Sequence, residues 1–267
     1  MKAAIFGALL LLPVLAACDD PKPDTATVPE AAAAAAPEPT PAPTPSAAPA
    51  APAPTFVKKA AADCKPHPAT IDFGEDAALE KEVRRKLSKD KGPITPSDLA
   101  QIKSINLSQA TVHQIDPCIF PMFTSMKDLF LGTGDYDDLS PLQKLTTLES
   151  LRAALSQVKD LHPIEGLKRL DRLDLSHTQV ADSDLKSLAG LVNVTELMLD
   201  EDDVSDLTPV ANMKKLERLS IKKTRVQSLA PLAGIHTLKF LYVADSAVSD
   251  ISPVQPLMSG GLKLVQN

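Results

Sequence analysis

The strongest constraint on this chain is a pattern that repeats itself. "VTELMLDEDDVSDLTPVANMKK", Val194 to Lys215, runs directly into "LERLSIKKTRVQSLAPLAGIHT", Leu216 to Thr237. Both stretches carry aliphatic residues at their first, fourth and sixth positions and Pro at the sixteenth. The same skeleton begins at Met126, Leu148, Leu170 and Leu238, with a degenerate first copy at Ile102. Starts fall 22 residues apart, or 24 where a copy is longer. Prolines at such regular intervals exclude a single long amphipathic helix, whose interior they would break.

Fourth and sixth residues are two apart, so they point to the same face of a short strand. Leu129/Leu131, Leu173/Leu175, Leu219/Ile221 and Leu241/Val243 are such pairs. One strand buries too little to be stable, but strands stacked in parallel at ~4.8 Å share a continuous core. With no Trp and only nine Phe or Tyr, that core is aliphatic. "DLSPL", "DLHPI", "DLTPV", "SLAPL" and "DISPV" put Pro where a brief helical turn begins, at the position suited to its fixed φ. The copy at Leu170 lacks that Pro and reads "ADSDLKSLAGL", which predicts a fuller helix. Seven consecutive copies at this period are the signature of a leucine-rich repeat solenoid. The predicted fold is therefore α/β, with short parallel strands on a concave face and 3-10 or helical turns on a convex face.

A solenoid needs its open end covered. "GEDAALEKEVRRKL" places Leu79, Val83 and Leu87 on one helical stripe, and "ITPSDLAQI" offers Thr95 as N-cap with Pro96 at the first helical position. Residues 63–101 are thus expected to form an N-terminal helical cap, and 102–267 about seven repeats with the C-terminal end. On the helical cap, the 22-residue unit and the "DLxPL" turns, roughly 70–258 resembles the internalin-like bacterial leucine-rich repeat proteins. The resemblance implies a protein-binding module. The chain departs from that pattern at the ninth position, usually Asn in the family and here Gly134, Ser156, Thr178, Asp202, Thr224 and Ser246. It also shows no downstream immunoglobulin-like domain or cell-wall anchor, so host-cell invasion is not implied.

Residues 1–17 have one early charge, Lys2, then an apolar run and small residues, the layout of a secretory signal. Leu15-Ala16-Ala17-Cys18 resembles the lipobox of bacterial lipoproteins, which implies cleavage before Cys18 and a lipid on its sulfur. With two or three acyl chains the membrane attachment would be stable. An ordinary secretory peptide is the alternative. Residues 18–62 then form an Ala/Pro-rich stretch with almost nothing to bury, read as a disordered tether. Extended as polyproline II at ~3.1 Å per residue, it reaches on the order of 100 Å. The expected location is a bacterial cell envelope, with the domain in the periplasm or at the cell surface.

Cys64 and Cys118 remain. In an exported protein they suggest a disulfide tying the cap to the first copy, with two separate buried thiols as the alternative. No catalytic constellation forms: Asp174, Ser176 and His177 lie along one strand and loop, with nothing to build an oxyanion hole. No cofactor is expected. The acidic cluster Asp200, Glu201, Asp202, Asp203 and Asp206 lacks the Gly turn and distal Glu of an EF-hand loop. One repeat on, Lys222, Lys223 and Arg225 stand at the positions equivalent to Asp200, Glu201 and Asp203, so a charge ladder competes with a metal site.

The third and fifth positions line the concave sheet. The candidate partner-binding residues there are Phe130, Arg152, Arg172, Asp174, Glu196, Met198, Arg218, Phe240 and Tyr242. Aromatics, Met and Arg on a rigid surface are the types enriched in binding hot spots. The alternative runs Arg172–Glu196–Arg218 as an inter-strand charge ladder and packs Phe240 and Tyr242 under the C-terminal "GGLKLVQN". The net charge of -6 gives no basic footprint for nucleic acid. The resulting expectation is a membrane-anchored protein-binding module of the envelope. Its alternatives are a structural or sensory component acting through the cap or convex face, or a glycan-binding protein.

Overall fold

A computed structural model of the chain describes residues 58–65 and 68–266. The expected signal (1–17), the lipidation residue Cys18 and the tether as far as residue 57 lie outside the described residues. From there the architecture is the expected leucine-rich repeat solenoid. Eight three-residue strands form one parallel sheet in sequential order: β1 Ser104–Asn106, β2 Asp128–Phe130, β3 Ser150–Arg152, β4 Arg172–Asp174, β5 Glu196–Met198, β6 Arg218–Ser220, β7 Phe240–Tyr242 and β8 Lys263–Val265. Register is uniform, so third positions pair with third and fifth with fifth across β2 to β7. The fourth-position leucines from Leu129 to Leu241 are buried, and so are the sixth-position residues from Leu131 to Val243. Seven repeats supply β1 to β7. The eighth strand comes from "KLV", which lacks the repeat skeleton and continues the sheet as a C-terminal end piece.

The convex turns explain their own sequence. Turns at Ser140–Leu142, His162–Ile164, Thr208–Asn212, Ala230–Leu232 and Ser252–Val254 are 3-10, and Pro stands at the second residue rather than the first. In four of these the first residue's N–H is taken by the Asp two positions earlier, as in Ser140 to Asp138 Oδ1 (2.7 Å), Thr208 to Asp206 Oδ1 (2.8 Å) and Ser252 to Asp250 Oδ1 (2.8 Å), and in the fifth Ala230 N donates to Ser228 Oγ (3.3 Å). Pro has no N–H to satisfy at the second. The Asp of "DLxP" is therefore a cap for the turn. In the Leu170 copy, without that Pro, a true helix forms at Asp182–Leu185 and continues as 3-10 through Lys186–Gly190.

Two further helices close the N-terminal end. Helix α1, Ala77–Leu87, is capped by Asp76, whose side chain accepts from Leu79 N. It buries Leu79 and Val83 completely against the solenoid. Helix α2, Pro96–Ala100, has the capping box of Thr95 and Asp98. Glu82 of α1 solves the edge problem of a sheet: it is almost buried, and its Oε1 accepts from Asn106 N of β1 at 3.2 Å. Arg85 donates to both carboxylate oxygens and, as the largest cause, holds the Glu82 carboxyl below its ordinary range.

Cys64 and Cys118 are joined by a disulfide across a sequence separation of 54 residues. The segment just before it differs from the tether expected through residue 62. Lys59 N donates to Gln114 Oε1 at 2.7 Å, Lys59 Nζ meets Asp116 at 2.7 Å, and Lys58 Nζ meets Asp137 at 2.6 Å. Residues 58–62 thus strap onto the first two coils, because two lysines in an otherwise apolar tract find carboxylates there.

Candidate recognition surface

The concave sheet presents two rows of side chains. Third positions run Ser104, Asp128, Ser150, Arg172, Glu196, Arg218, Phe240, Lys263; fifth positions run Asn106, Phe130, Arg152, Asp174, Met198, Ser220, Tyr242, Val265. Because strand and register repeat, each side chain faces its counterpart one coil away. What varies is only the chemistry.

In the middle of the sheet the rows enclose a shallow depression of about 250 Å³. Phe130, Arg152, Arg172, Asp174, Glu196 and Met198 line it, six of the nine candidate residues. Phe130 and Met198 stand at its ends, half-buried, with the Arg152–Asp174 ion pair (3.2 Å) between them. The alternative charge ladder forms only in part. Glu196 meets Arg218 at 3.7 Å, but Arg172 turns to Asp171 at 3.6 Å, its own neighbour. Arg172 is exposed, so its long stem reaches a carboxylate on its own coil without crossing to the next.

The remaining three candidates gather at the C-terminal end. Phe240 and Tyr242 are stacked, with ring centres 6.5 Å apart and planes 15° apart. The Arg218 guanidinium lies 5.0 Å from the centre of the Phe240 ring, and Lys263 Nζ lies 5.5 Å from it. Lys222 Nζ lies 5.9 Å from the centre of the Tyr242 ring. The C-terminal strand therefore flanks these rings rather than burying them, and both remain partly exposed. Lys222 and Lys263 belong to this cluster yet escaped the sequence reading. Lys222 stood at a loop position counted for the acidic ladder, and Lys263 lay in a segment without the repeat skeleton that would have marked it as a third position.

The acidic cluster is neutralised by the next coil. Lys222 pairs with Asp200 (3.1 Å), Lys223 with Glu201 (2.9 Å), and Arg225 with Asp203. The Lys223 bond is the main reason the Glu201 carboxyl sits below its ordinary range. No group of three or more His, Cys, Asp or Glu among the described residues is arranged to hold a metal ion. Asp202 is the exception to the ladder. It is buried; its Oδ1 accepts from Thr178 N (2.7 Å) and Thr178 Oγ1 (2.9 Å), and its Oδ2 has no partner among the described residues. Burial is the largest cause that pushes its carboxyl up to about 7, with Asp174 and Asp200 adding to it.

Asp174, Ser176 and His177 do not cooperate. Asp174 pairs with Arg152 and accepts from the Ser176 backbone N, whereas the His177 ring bonds Glu201 at 3.2 Å. No base is oriented between nucleophile and carboxylate. A crevice of about 400 Å³ lies elsewhere, beside the disulfide, lined by residues including Lys59, Asp63, Asp72, Cys118 and Met122. None of the nine candidates reaches it.

No protein-family model and no curated protein matches the sequence. Among solved structures the chain is similar to internalin C2 of Listeria monocytogenes, at 25% identity and a TM-score of 0.60, over 72% of this chain and 93% of that one. It is also similar to a second internalin of that organism, InlF, at 24% identity and a TM-score of 0.59, over 72% of this chain and 62% of the other. A leucine-rich repeat protein of Leptospira interrogans aligns at 17% identity with a TM-score of 0.52, over 64% of this chain and 51% of that one. The described domain is thus an internalin-like leucine-rich repeat solenoid.

Proposed function

We propose that this protein is a lipid-anchored binding module of a bacterial cell envelope that recognises a protein partner through the concave face of its solenoid. The observation that carries the reading is the central depression, where two apolar side chains, Phe130 and Met198, flank the Arg152–Asp174 pair on a rigid sheet. Anchors of this kind, partly exposed on a regular sheet, are what hot spots are made of. The leucine-rich repeat fold supports the same class, since its curvature builds extended concave binding surfaces.

The anchor rests on Lys2, the apolar run and Leu15-Ala16-Ala17-Cys18. The Cys64–Cys118 bridge supports export, because disulfides persist in oxidising compartments. In this reading residues 1–17 are removed, Cys18 carries the lipid, residues 18–57 are the spacer, and the folded unit begins with the strap at Lys58.

The test is capture from envelope extract by the full-length chain in detergent, beside a Phe130→Ala/Met198→Ala variant whose circular dichroism shows the fold intact. A protein held by the parent and released by the variant supports the concave site. Equal capture by both moves recognition to the cap or convex face. Metabolic labelling with a fatty acid tests the anchor separately: the label should be lost in Cys18→Ala.

A further inference from the structure

The C-terminal end of the concave sheet carries a charge pattern from which a kind of partner can be read. Arg218, Phe240 and Lys263 are successive third positions on adjacent strands. The two cations therefore approach the Phe240 ring from its two opposite sides, at 5.0 and 5.5 Å. Lys222 covers the Tyr242 ring from the same side as Arg218, and Val265 is paired in register with Tyr242 on the other. The Phe240 ring thus has a cation near it from each neighbouring strand, and the Tyr242 ring has one from the preceding coil. A ligand approaching the partly exposed rings meets their edges, the positive part of an aromatic quadrupole, together with the cation heads.

These cations are weakly committed within the chain. Among the described residues Lys263 has no carboxylate partner, and the buried Arg218 Nε makes no hydrogen bond, lying 3.7 Å from Glu196. Only Lys222 is firmly paired, with Asp200 at 3.1 Å. On a protein of net charge -6, the three cations Arg218, Lys222 and Lys263 here exceed the two carboxylates beside them, Glu196 and Asp200, and a guanidinium suits the fork of a carboxylate.

We infer that the cluster of Arg218, Phe240, Tyr242 and Lys263 is the docking site for an acidic peptide segment of the partner, whose carboxylates meet Arg218 and Lys263 and whose backbone lies along the ring edges. This rests on the concave-face reading proposed above and names the chemistry of one end of it.

Fluorescence anisotropy of a labelled oligo-glutamate peptide, titrated with the full-length chain in detergent at about 20 mM salt, tests it where screening is weak. Lys263→Glu should weaken binding at least about tenfold, as expected for reversing a charge at a complementary contact. Lys186→Glu, which changes the net charge equally but lies exposed on the convex turn, should leave binding within about twofold. Oligo-glutamine should not bind. Lys263→Met, which keeps the apolar stem, gives the same reading should the acidic variant lose its fold. Equal loss in Lys263→Glu and Lys186→Glu would overturn the inference, leaving diffuse attraction only. So would binding of a neutral glucan oligosaccharide that Tyr242→Ala abolishes. If Phe130 and Met198 prove necessary for capture while Lys263 does not discriminate acidic peptide, this inference falls and the concave reading stands. If neither pair matters for a captured protein, the concave reading itself falls.

Discussion

Asp202→Asn should stabilise the protein at neutral and alkaline pH and do little in mild acid. Asp202 is the one buried carboxyl of the acidic cluster, with Oδ1 tied to Thr178 and Oδ2 unpartnered. Its folded value of about 7 lies far above the ordinary 3.8. Between those limits the folded state keeps a proton that the unfolded chain has released, so stability falls as pH rises, and the full cost is present above about 7. At about 1.4 kcal/mol per pKa unit, that cost is about 4 kcal/mol above pH 7 and less than half of it near pH 5. Asn keeps an acceptor for Thr178 and carries no charge, so its difference from the parent should grow by about 3 kcal/mol at most between pH 5 and 8, relaxation around the site lowering the figure. A buried amide donor left unpaired subtracts about 1–3 kcal/mol at every pH and does not alter that growth. Urea unfolding of parent and variant at pH 5, 6.5 and 8, followed by circular dichroism, reads it as the separation of midpoints. A separation that stays constant across the three pH values would refute the buried, uncharged state assigned to Asp202.

Other consequences are more local. Gly134→Ala should destabilise by several kcal/mol or abolish folding, since a Cβ there would stand 1.7 Å from the Val112 carbonyl oxygen; Gly166→Ala, facing open space, is the control in thermal unfolding. Cys118→Ser should cost about 4 kcal/mol by loop closure over 54 residues, and reductant should lower the parent's Tm while leaving the variant's unchanged. Glu82→Ala should cost about 1–3 kcal/mol, because it strips the acceptor from Asn106 N at the sheet edge, and hydrogen exchange should show protection lost first in β1. Lys223→Ala should barely move Tm, and any effect should vanish in high salt, because the pair with Glu201 is exposed.

Much of this fold was legible because each coil must bury the same stripe. Leu173, Leu197 and Leu219 are interchangeable in role, so their spacing alone fixes strand, register and face. The absent Pro in the Leu170 copy foretold the helix at Asp182–Leu185 for the same local reason. What escaped was tertiary. "KLV" forms the eighth strand only because β7 offers an edge to pair with. Lys58 and Lys59 sit in a composition that favours disorder, and they are held by Asp137 and Asp116, far away in sequence. The turn-capping role of Asp138 and Asp206 could have been read from "DLxP", since Asp two residues before an N–H is a known local acceptor. On the recognition surface the residues were identifiable from position, but their pairing was not. That Arg172 turns to Asp171 while Arg218 lies over Phe240 is a choice among rotamers, which spacing does not encode.

The central claim is that a protein partner is met by the concave sheet, and site-specific photo-crosslinking in intact envelopes tests it most directly. A photoreactive side chain placed in turn at Phe130, Met198 and Tyr242 should crosslink to one common protein, whereas placement at the exposed Val192, outside the strands of the concave sheet, should give none. A common partner crosslinked from Val192, with none from the three concave positions, would contradict the account.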